Sequence, residues 1–325
     1  QRSLTVTLPV GRSGPFYVLV KADAGNRFAE TAELNNTGFD PALLDVALAP
    51  PADLVAGTIS LPANAQPGQA MEITYTVDNA STNAAIGAWR DTLYLSRDDV
   101  LDTGDTVFGS VDVYGPVAGG TSYSRTVHAV VPGVDPGEYK LIVRSDVRNV
   151  LAEASESNNL SASVDAVTLD VPALTLGVAT SGTVLAGQSL FFKVNVGAGE
   201  ALRFSLDGPG EDVAHDLWIS YASVPSRSHN DVGSGEQYTP DPVLTVPTTE
   251  AGVYYVRVDA GFASGAYTLR ADLVPFSVER VSENSVGNTG EATLRVDGAR
   301  FDANTRFELV ATDGTVFDAV AVWLR

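Results

Sequence analysis

Two stretches decide the fold of this chain: Gly14–Asn36, GPFYVLVKADAGNRFAETAELNN, and Gly137–Asn159, GEYKLIVRSDVRNVLAEASESNN. They align without a gap at a spacing of 123 residues. Asp23 falls on Asp146, Asn26 on Asn149, Glu30 on Glu153, Glu33 on Glu156, and the pair Asn35-Asn36 on Asn158-Asn159. Pro9 falls on Pro132, so the match starts ahead of the glycine. A period this long is a whole domain, not a solenoid unit. The chain therefore reads as an array of modules, an architecture that favours reach and binding over catalysis.

Working outward, apolar and polar residues alternate and helical periodicity is almost absent. The alternation predicts strands at Tyr17–Val20, Met71–Val77, Thr92–Leu95, Tyr139–Val143, Leu190–Val196, Val253–Val258 and Ala292–Val296. A further alternation, Leu4, Val6 and Leu8 against Thr5 and Thr7, stands near the start. Turn formers punctuate these runs, among them Pro67-Gly68, Thr103-Gly104, Pro136-Gly137, Asp207-Gly208 and Asp313-Gly314. Short strands so punctuated predict an all-β tandem array of immunoglobulin-like and jelly-roll-like β-sandwich domains. Proline-marked seams set the expected boundaries: residues 1–50 hold the C-terminal part of one repeat, 51–172 a complete copy, 173–274 a module of different pattern, and 275–325 the start of another.

Lys+Arg 20 against Asp+Glu 40 gives a formal charge of −20, which argues against nucleic acid or an anionic membrane as partner. The absence of cysteine excludes disulfide scaffolding, thiolate nucleophiles and thiolate metal sites. No apolar run approaches the roughly 20 residues of a membrane-spanning helix. The chain reads as an internal segment with any targeting signal outside it.

Residues 51–172 resemble the cell-adhesion-related domain found in bacteria (CARDB), an immunoglobulin-like sandwich of exported proteins. The resemblance rests on Asp53-Leu54-Val55, Thr76-Val77-Asp78-Asn79, Tyr94-Leu95-Ser96-Arg97-Asp98, the acidic turn Asp102-Thr103-Gly104-Asp105, and the closing E-x-x-E-x-N-N of Glu153, Glu156, Asn158 and Asn159. Residues 1–50 look like the second half of another copy. Residues 173–274 resemble the bacterial pre-peptidase C-terminal domain (PPC), on Gly182-Thr183-Val184, Phe191-Phe192-Lys193-Val194, Asp216-Leu217-Trp218, Ala251–Val258 and Ser264–Leu269. That resemblance implies a module that rides beside secreted peptidases; the Ser223–Gly235 loop departs from the family's short connection. Residues 276–325 look like the start of an IPT/TIG immunoglobulin-like domain, on Asn288-Thr289-Gly290 and Gly298-Ala299-Arg300-Phe301.

Three constellations bear chemistry. The acidic turn SRDDVLDTGDT carries Asp98, Asp99, Asp102 and Asp105. Calcium takes six to eight oxygens, and Asp98, Asp102 and Asp105 bracket the turn as candidate ligands. The alternative is a plain hairpin turn, with carboxylates capping backbone N–H groups and Gly104 at positive φ. The twice-repeated E-x-x-E-x-N-N reads as structural, the asparagines suiting a left-handed turn and the glutamates accepting backbone hydrogen bonds. Its functional alternative is a cation site on Glu30/Glu33 or Glu153/Glu156. The third constellation is Asp207, Glu211, Asp212 and Asp216 around Gly208-Pro209-Gly210, either a cation loop or solvated carboxylates.

His128, His215 and His229 lack zinc-like spacing, and His128 belongs to a strand pattern. No metalloprotease or serine-hydrolase motif occurs. Tyr221, Tyr238 and Phe262 near loops are candidates for stacking on sugars or a protein. No catalytic residue is expected. The expected role is a non-catalytic segment of a large bacterial surface or secreted protein, extracellular or at the cell surface. Its expected partners are a protein or carbohydrate ligand at a cell surface or matrix, or further copies of the chain, with no nucleic acid and no membrane insertion. Alternatives are a substrate-docking region of a secreted hydrolase and a subunit of a surface filament or layer.

Overall fold

The computed structural model describes residues 3, 5, 6, 12–48, 50–208, 215–235, 241–283, 285–287, 290, 292–301, 304–319 and 322. Leu4, Thr7, Leu8, Pro9, Pro209, Gly210, Glu211, Asp212, Tyr238, Asn288 and Thr289 lie outside them. Strand follows strand; the one helical turn among the described residues is the three-residue 3-10 turn Glu33–Asn35. The fold is all-β. Two compact units form, one over the ranges 1–62, 72–129 and 139–166, the other over 63–71, 130–138 and 167–325.

In the first unit the strand Ala70–Asn79 lies between Leu54–Ser60 and Ser122–Val130 in a three-stranded sheet. Its sequence AMEITYTVDN shows why it is a strand: Met71, Ile73, Tyr75 and Val77 are buried while Glu72 and Asp78 face out, the two-residue period of a pleated, one-sided surface. A second sheet centres on Ala88–Ser96, paired antiparallel with Thr106–Tyr114 on one side and Gly137–Arg144 on the other. Leu93, Leu95, Leu141 and Val143 from this sheet are at most 1% exposed. Each such side chain contributes about 1.5–3 kcal/mol of burial.

The 123-residue repeat recurs in the structure. Leu19–Lys21 pairs with Thr37–Phe39 as Leu19↔Phe39, Val20↔Gly38 and Lys21↔Thr37. Gly137–Arg144 pairs with Leu160–Ala162 as Ile142↔Ala162, Val143↔Ser161 and Arg144↔Leu160, the same register one period on. The intervening turns match as well. Asp23 and Asp146 take φ of 39° and 41°, and Asn26 and Asn149 take 50° and 49°. The Asn26 amide donates to Asp23 O at 2.9 Å and the Asn149 amide to Asp146 O at 2.8 Å.

Three sequence expectations need correction. The expected strand Tyr17–Val20 is broken into Gly14–Phe16 and Leu19–Lys21. Its counterpart Gly137–Arg144 is continuous because Lys140–Arg144 pairs with Thr92–Ser96, and Leu19–Lys21 has no such neighbour among the described residues. The left-handed residues are the Asp and Asn of the turn, not the Asn-Asn pair, whose amides act through their side chains. Finally, the strand expected at Ala292–Val296 starts only at Val296, where Val296–Ala299 pairs with Ser277–Val281.

The second unit is built on two four-stranded antiparallel sheets. One runs Thr180–Val184, Gly265–Val274, Ala201–Asp207, Val243–Val246; the other runs Ser189–Val196, Gly252–Ala260, His215–Tyr221, Val232–Gly233. Between them lie Leu202, Phe204, Leu206, Leu217, Ile219, Val256, Val258 and Leu269, each at most 1% exposed. The segments 63–71 and 130–138 join this unit: Gln188 Nε2 donates to Gly68 O at 2.9 Å, and the Val224 amide to Asp135 Oδ1 at 2.7 Å. The expected Asp313-Gly314 turn is present, with Gly314 at φ 89° and Asp313 Oδ1 accepting from the Thr315 amide at 2.9 Å.

Candidate functional site

The acidic turn joins Ala88–Ser96 to Thr106–Tyr114. Its carboxylates serve the turn itself. Asp98 Oδ1 accepts from the Val100 amide at 2.8 Å and Ser96 Oγ at 3.3 Å. Asp102 Oδ1 accepts from the Gly104 amide at 2.7 Å, and Asp105 Oδ2 from the Asp102 amide at 2.9 Å. Gly104 is not at positive φ, contrary to expectation; a Cβ there would lie 3.1 Å from the capping Asp102 Oδ1, close enough that this side chain would have to give by a few tenths of an ångström. Among the described residues, no three His, Asp or Glu side chains gather as a metal-holding set.

The E-x-x-E-x-N-N element of the complete copy is more deeply engaged. Ala52 bridges to Glu153, with the Ala52 amide donating to Ala152 O at 3.0 Å and the Ala154 amide to Ala52 O at 2.8 Å. Glu153 Oε2 accepts from the Leu54 amide at 2.6 Å, and its Oε1 from Asn159 Nδ2 at 2.9 Å. Asn158 Nδ2 donates to Asp53 Oδ1 at 3.0 Å. The element therefore clasps the first strand of its module. Burial first, and then the charges of Glu156 and Asp146, push the Glu153 carboxyl up to about 7, despite the two hydrogen bonds that favour its ionised form. Glu156, exposed nearby, is also raised, by desolvation and by Asp146.

A buried carboxylate that the sequence reading missed lies beside this element. Asp91 is fully buried; its Oδ2 accepts from Tyr75 OH and Tyr123 OH, each at 2.8 Å, and its Oδ1 from the Asp146 amide at 3.1 Å. Tyr123 OH in turn accepts from Trp89 Nε1 at 3.1 Å. Desolvation raises Asp91 above the ordinary carboxylate range, with the two tyrosine hydroxyls and the Asp146 amide working against it. Both tyrosines are raised, first by burial and then by the Asp91 charge. The only sequence signal was one acid, Asp91, in a strand otherwise rich in apolar residues.

In the second unit the expected acids separate. Asp207 is exposed at a strand end, whereas Asp216 is buried in His215–Tyr221, its Oδ1 accepting from Ser234 Oγ at 3.3 Å. A second missed carboxylate is Asp259. It accepts from Arg257 Nε and Ser189 Oγ at 2.6 Å on Oδ1, and from Arg227 Nε at 3.0 Å on Oδ2. Two guanidinium groups on one buried carboxylate pin the Ser223–Gly235 loop to the sandwich. His215 is buried, His229 lies exposed in a turn, and His128 sits on the exposed face of its strand, 3.3 Å from Glu72 Oε2. Tyr221 packs on Tyr254 at 5.2 Å and donates to Ala251 O, so its ring is a packing element; Phe262 is 98% exposed.

The CARDB family model matches residues 51–163, and that of the bacterial pre-peptidase C-terminal domain matches residues 188–260. No curated protein matches the chain. Among solved structures the chain is similar to the CARDB domain of a Pyrococcus furiosus protein in complex with di-metal ions, at 16% identity and TM-score 0.29, covering 38% of this chain and 91% of that one. The solution structure of that domain gives 18% identity, TM-score 0.28, and coverage of 37% and 95%. A mutant β-glucosidase from Listeria innocua in complex with laminaribiose gives 16% identity, TM-score 0.26, and coverage of 37% of this chain but 16% of the enzyme. The chain thus carries two family matches in tandem, CARDB and then the pre-peptidase C-terminal domain, each inside the module whose motifs resembled it.

Proposed function

We propose that this chain is a non-catalytic extracellular segment of a bacterial surface or secreted protein, whose sandwich modules extend, present or adhere. One observation carries the reading: two modules that match families without catalytic chemistry stand in tandem, and one of them is half-repeated upstream. The internally bonded acids support it. Asp91, Glu153 and Asp259 each spend their oxygens on internal donors, and so hold the sandwiches together. The test has two arms. The purified chain is assayed against peptide and glycoside substrates and screened against immobilised matrix proteins and surface glycans. Binding without turnover is the expected result; turnover that disappears on replacing acids within residues 1–325 overturns the proposal.

A second reading, a substrate-docking region of a secreted hydrolase, draws on the pre-peptidase C-terminal match. Binding to the hydrolase's own polymeric substrate, rather than to a surface ligand, favours it. The partner of a filament or layer reading is another copy of the chain. It draws on the exposed apolar strand Leu19–Lys21, whose Leu19 and Val20 are 65% and 66% exposed. Concentration-dependent assembly in sedimentation favours that one.

A further inference from the structure

We propose that the outer face of the edge strand Ser189–Val196 is a docking surface for two turns, residues 63–71 and 130–138, and that the 173–274 sandwich depends on them for its stability. By sequence both turns belong to the preceding module and lie inside the CARDB match; by packing they belong with residues 167–325 in the second unit. The proposal goes beyond the presenting role argued above and stands independently of it.

The observation that carries it is an aromatic ring buried on the face where its strand should be exposed. In Ser189–Val196 the two-residue period sends Leu190, Phe192, Val194 and Val196 into the core. Phe191 therefore points out of the sandwich, yet it is only 5% exposed. It forms a second, small cluster with Val171 and Val224, against which Tyr255 packs. Gly133, from the second of the two turns, adds to that cover: a Cβ there would stand 2.6 Å from the Phe191 ring. Gly133 is outside the left-handed region, so it is the ring and not the backbone that would resist a side chain.

Hydrogen bonds fix the turns to each other and to the sandwich. The Gly68 amide donates to Val131 O at 2.8 Å and the Val131 amide to Gln69 O at 2.9 Å, which ties one turn to the other. Gly68, at φ 82°, lies so close to Ser189 that a Cβ would collide with its carbonyl oxygen. The Gly68 carbonyl accepts from Gln188 Nε2 at 2.9 Å, and Asp135 Oδ1 accepts from the Val224 amide at 2.7 Å. Two glycines without clearance and two hydrogen bonds from separate loops of the sandwich select a turn pair of this shape. The strand is also bridged along its edge. Ala173 pairs in parallel with Lys193, the Lys193 amide donating to Pro172 O at 2.9 Å and the Leu174 amide to Lys193 O at 2.7 Å. Face and edge of this strand are therefore both occupied, and the polymer of the substrate-docking reading would need another surface.

The test uses the whole chain and hydrogen exchange at the Val256 and Val258 amides, in the strand Gly252–Ala260 that runs between two neighbours. Gly133→Ala, a change inside the CARDB match, is expected to speed exchange there by about tenfold while leaving the Leu93 and Leu95 amides of the first unit unchanged. Phe191→Leu, which makes room for the new methyl group, is expected to relieve it: the double variant should exchange no faster than Phe191→Leu alone. Asp135→Ala, which removes the acceptor of the Val224 amide, should speed the same two amides by about threefold, and it stands in if Gly133→Ala does not fold. The proposal is overturned if neither Gly133→Ala nor Asp135→Ala changes exchange at Val256 and Val258. It also falls if the effects of Gly133→Ala and Phe191→Leu simply add, or if Gly133→Ala acts only on Leu93 and Leu95.

Discussion

Two 23-residue stretches that align without a gap, Gly14–Asn36 and Gly137–Asn159, stand in different surroundings in this molecule, and the two fare differently. Turn geometry and strand register agree. Burial does not: Val143 is fully buried and its counterpart Val20 is 66% exposed. Local sequence thus writes the hairpin and its left-handed turn without help. What it does not write is the core, which needs the strands Leu54–Ser60, Ala70–Asn79 and Ala88–Ser96 on the other side of the module. Leu54 and Asp91 belong to two of those strands, and Asp53 immediately precedes the first. The complete copy uses these three to hold Asn158, Glu153 and Asp146.

The strongest way to break the comparison is to strip the complete copy of that help. Asp91→Ala leaves two buried tyrosine hydroxyls and the Asp146 amide without their acceptor. The expected loss is about 3–5 kcal/mol in denaturant unfolding of the 51–172 module. Asp91→Asn, which keeps an acceptor, should cost clearly less. Equal losses for the two variants would mean that the acceptor is not what matters at this position.

Next in size is the matched pair. Val143→Ala should cost about 2–3 kcal/mol, because it removes two buried methyl groups and leaves a cavity. Val20→Ala, the same change at the same register position one period earlier, should stay within about 0.5 kcal/mol. A Val20→Ala cost comparable to that of Val143→Ala would show that something covers the half copy in solution.

What could be read beforehand follows the same division. Period-two alternation is local, so Met71–Val77, Thr92–Leu95 and Leu190–Val196 each fell inside an observed strand. Tyr17–Val20 failed because strand continuity there depends on a neighbour about 45 residues upstream in the complete copy, as Lys140 depends on Ser96. The Asp91–Tyr75–Tyr123 cluster was invisible for a related reason. Its members sit on three strands, and nothing in each strand's own pattern says that they meet. The acidic turn, conspicuous in sequence, proved to be internally capped.

Ionisation adds a further handle, since Glu153 in one stretch and Asp23, at a different position of the other, shift in opposite directions. Glu153, raised from 4.5 to about 7, holds its proton more tightly in the folded state. Its contribution is complete below about pH 4.5 and is lost as pH rises through about 7. The complete module should therefore lose on the order of 1–2 kcal/mol between pH 5 and 8, a figure discounted because the side chain is only half buried. Glu153→Gln should flatten that slope. Asp23 is lowered by hydrogen bonds from the Arg27 and Phe28 amides, so its contribution is lost instead as pH falls below the ordinary aspartate range. A slope unchanged by Glu153→Gln would assign the pH dependence to another group.

The smallest effect tests the claim that the turn is locally written. Asn26 and Asn149 sit at φ near +50° in both copies, a conformation that costs an ordinary side chain about 1–2 kcal/mol and glycine almost nothing. If the turn is independent of its surroundings, Asn→Ala should cost about 1 kcal/mol in either copy, and Asn→Gly should be close to neutral. The two costs will surface differently. In the complete copy the turn is coupled to a buried core through Asp146, so Asn149→Ala should lower the cooperative melt. In the half copy, with its exposed strands, Asn26→Ala should leave the main melt in place and instead speed hydrogen exchange at the Arg27 and Phe28 amides by about fivefold, the rate equivalent of that same 1 kcal/mol. Exchange at those amides that is already unprotected in the unaltered chain would mean that the turn needs more than its local sequence.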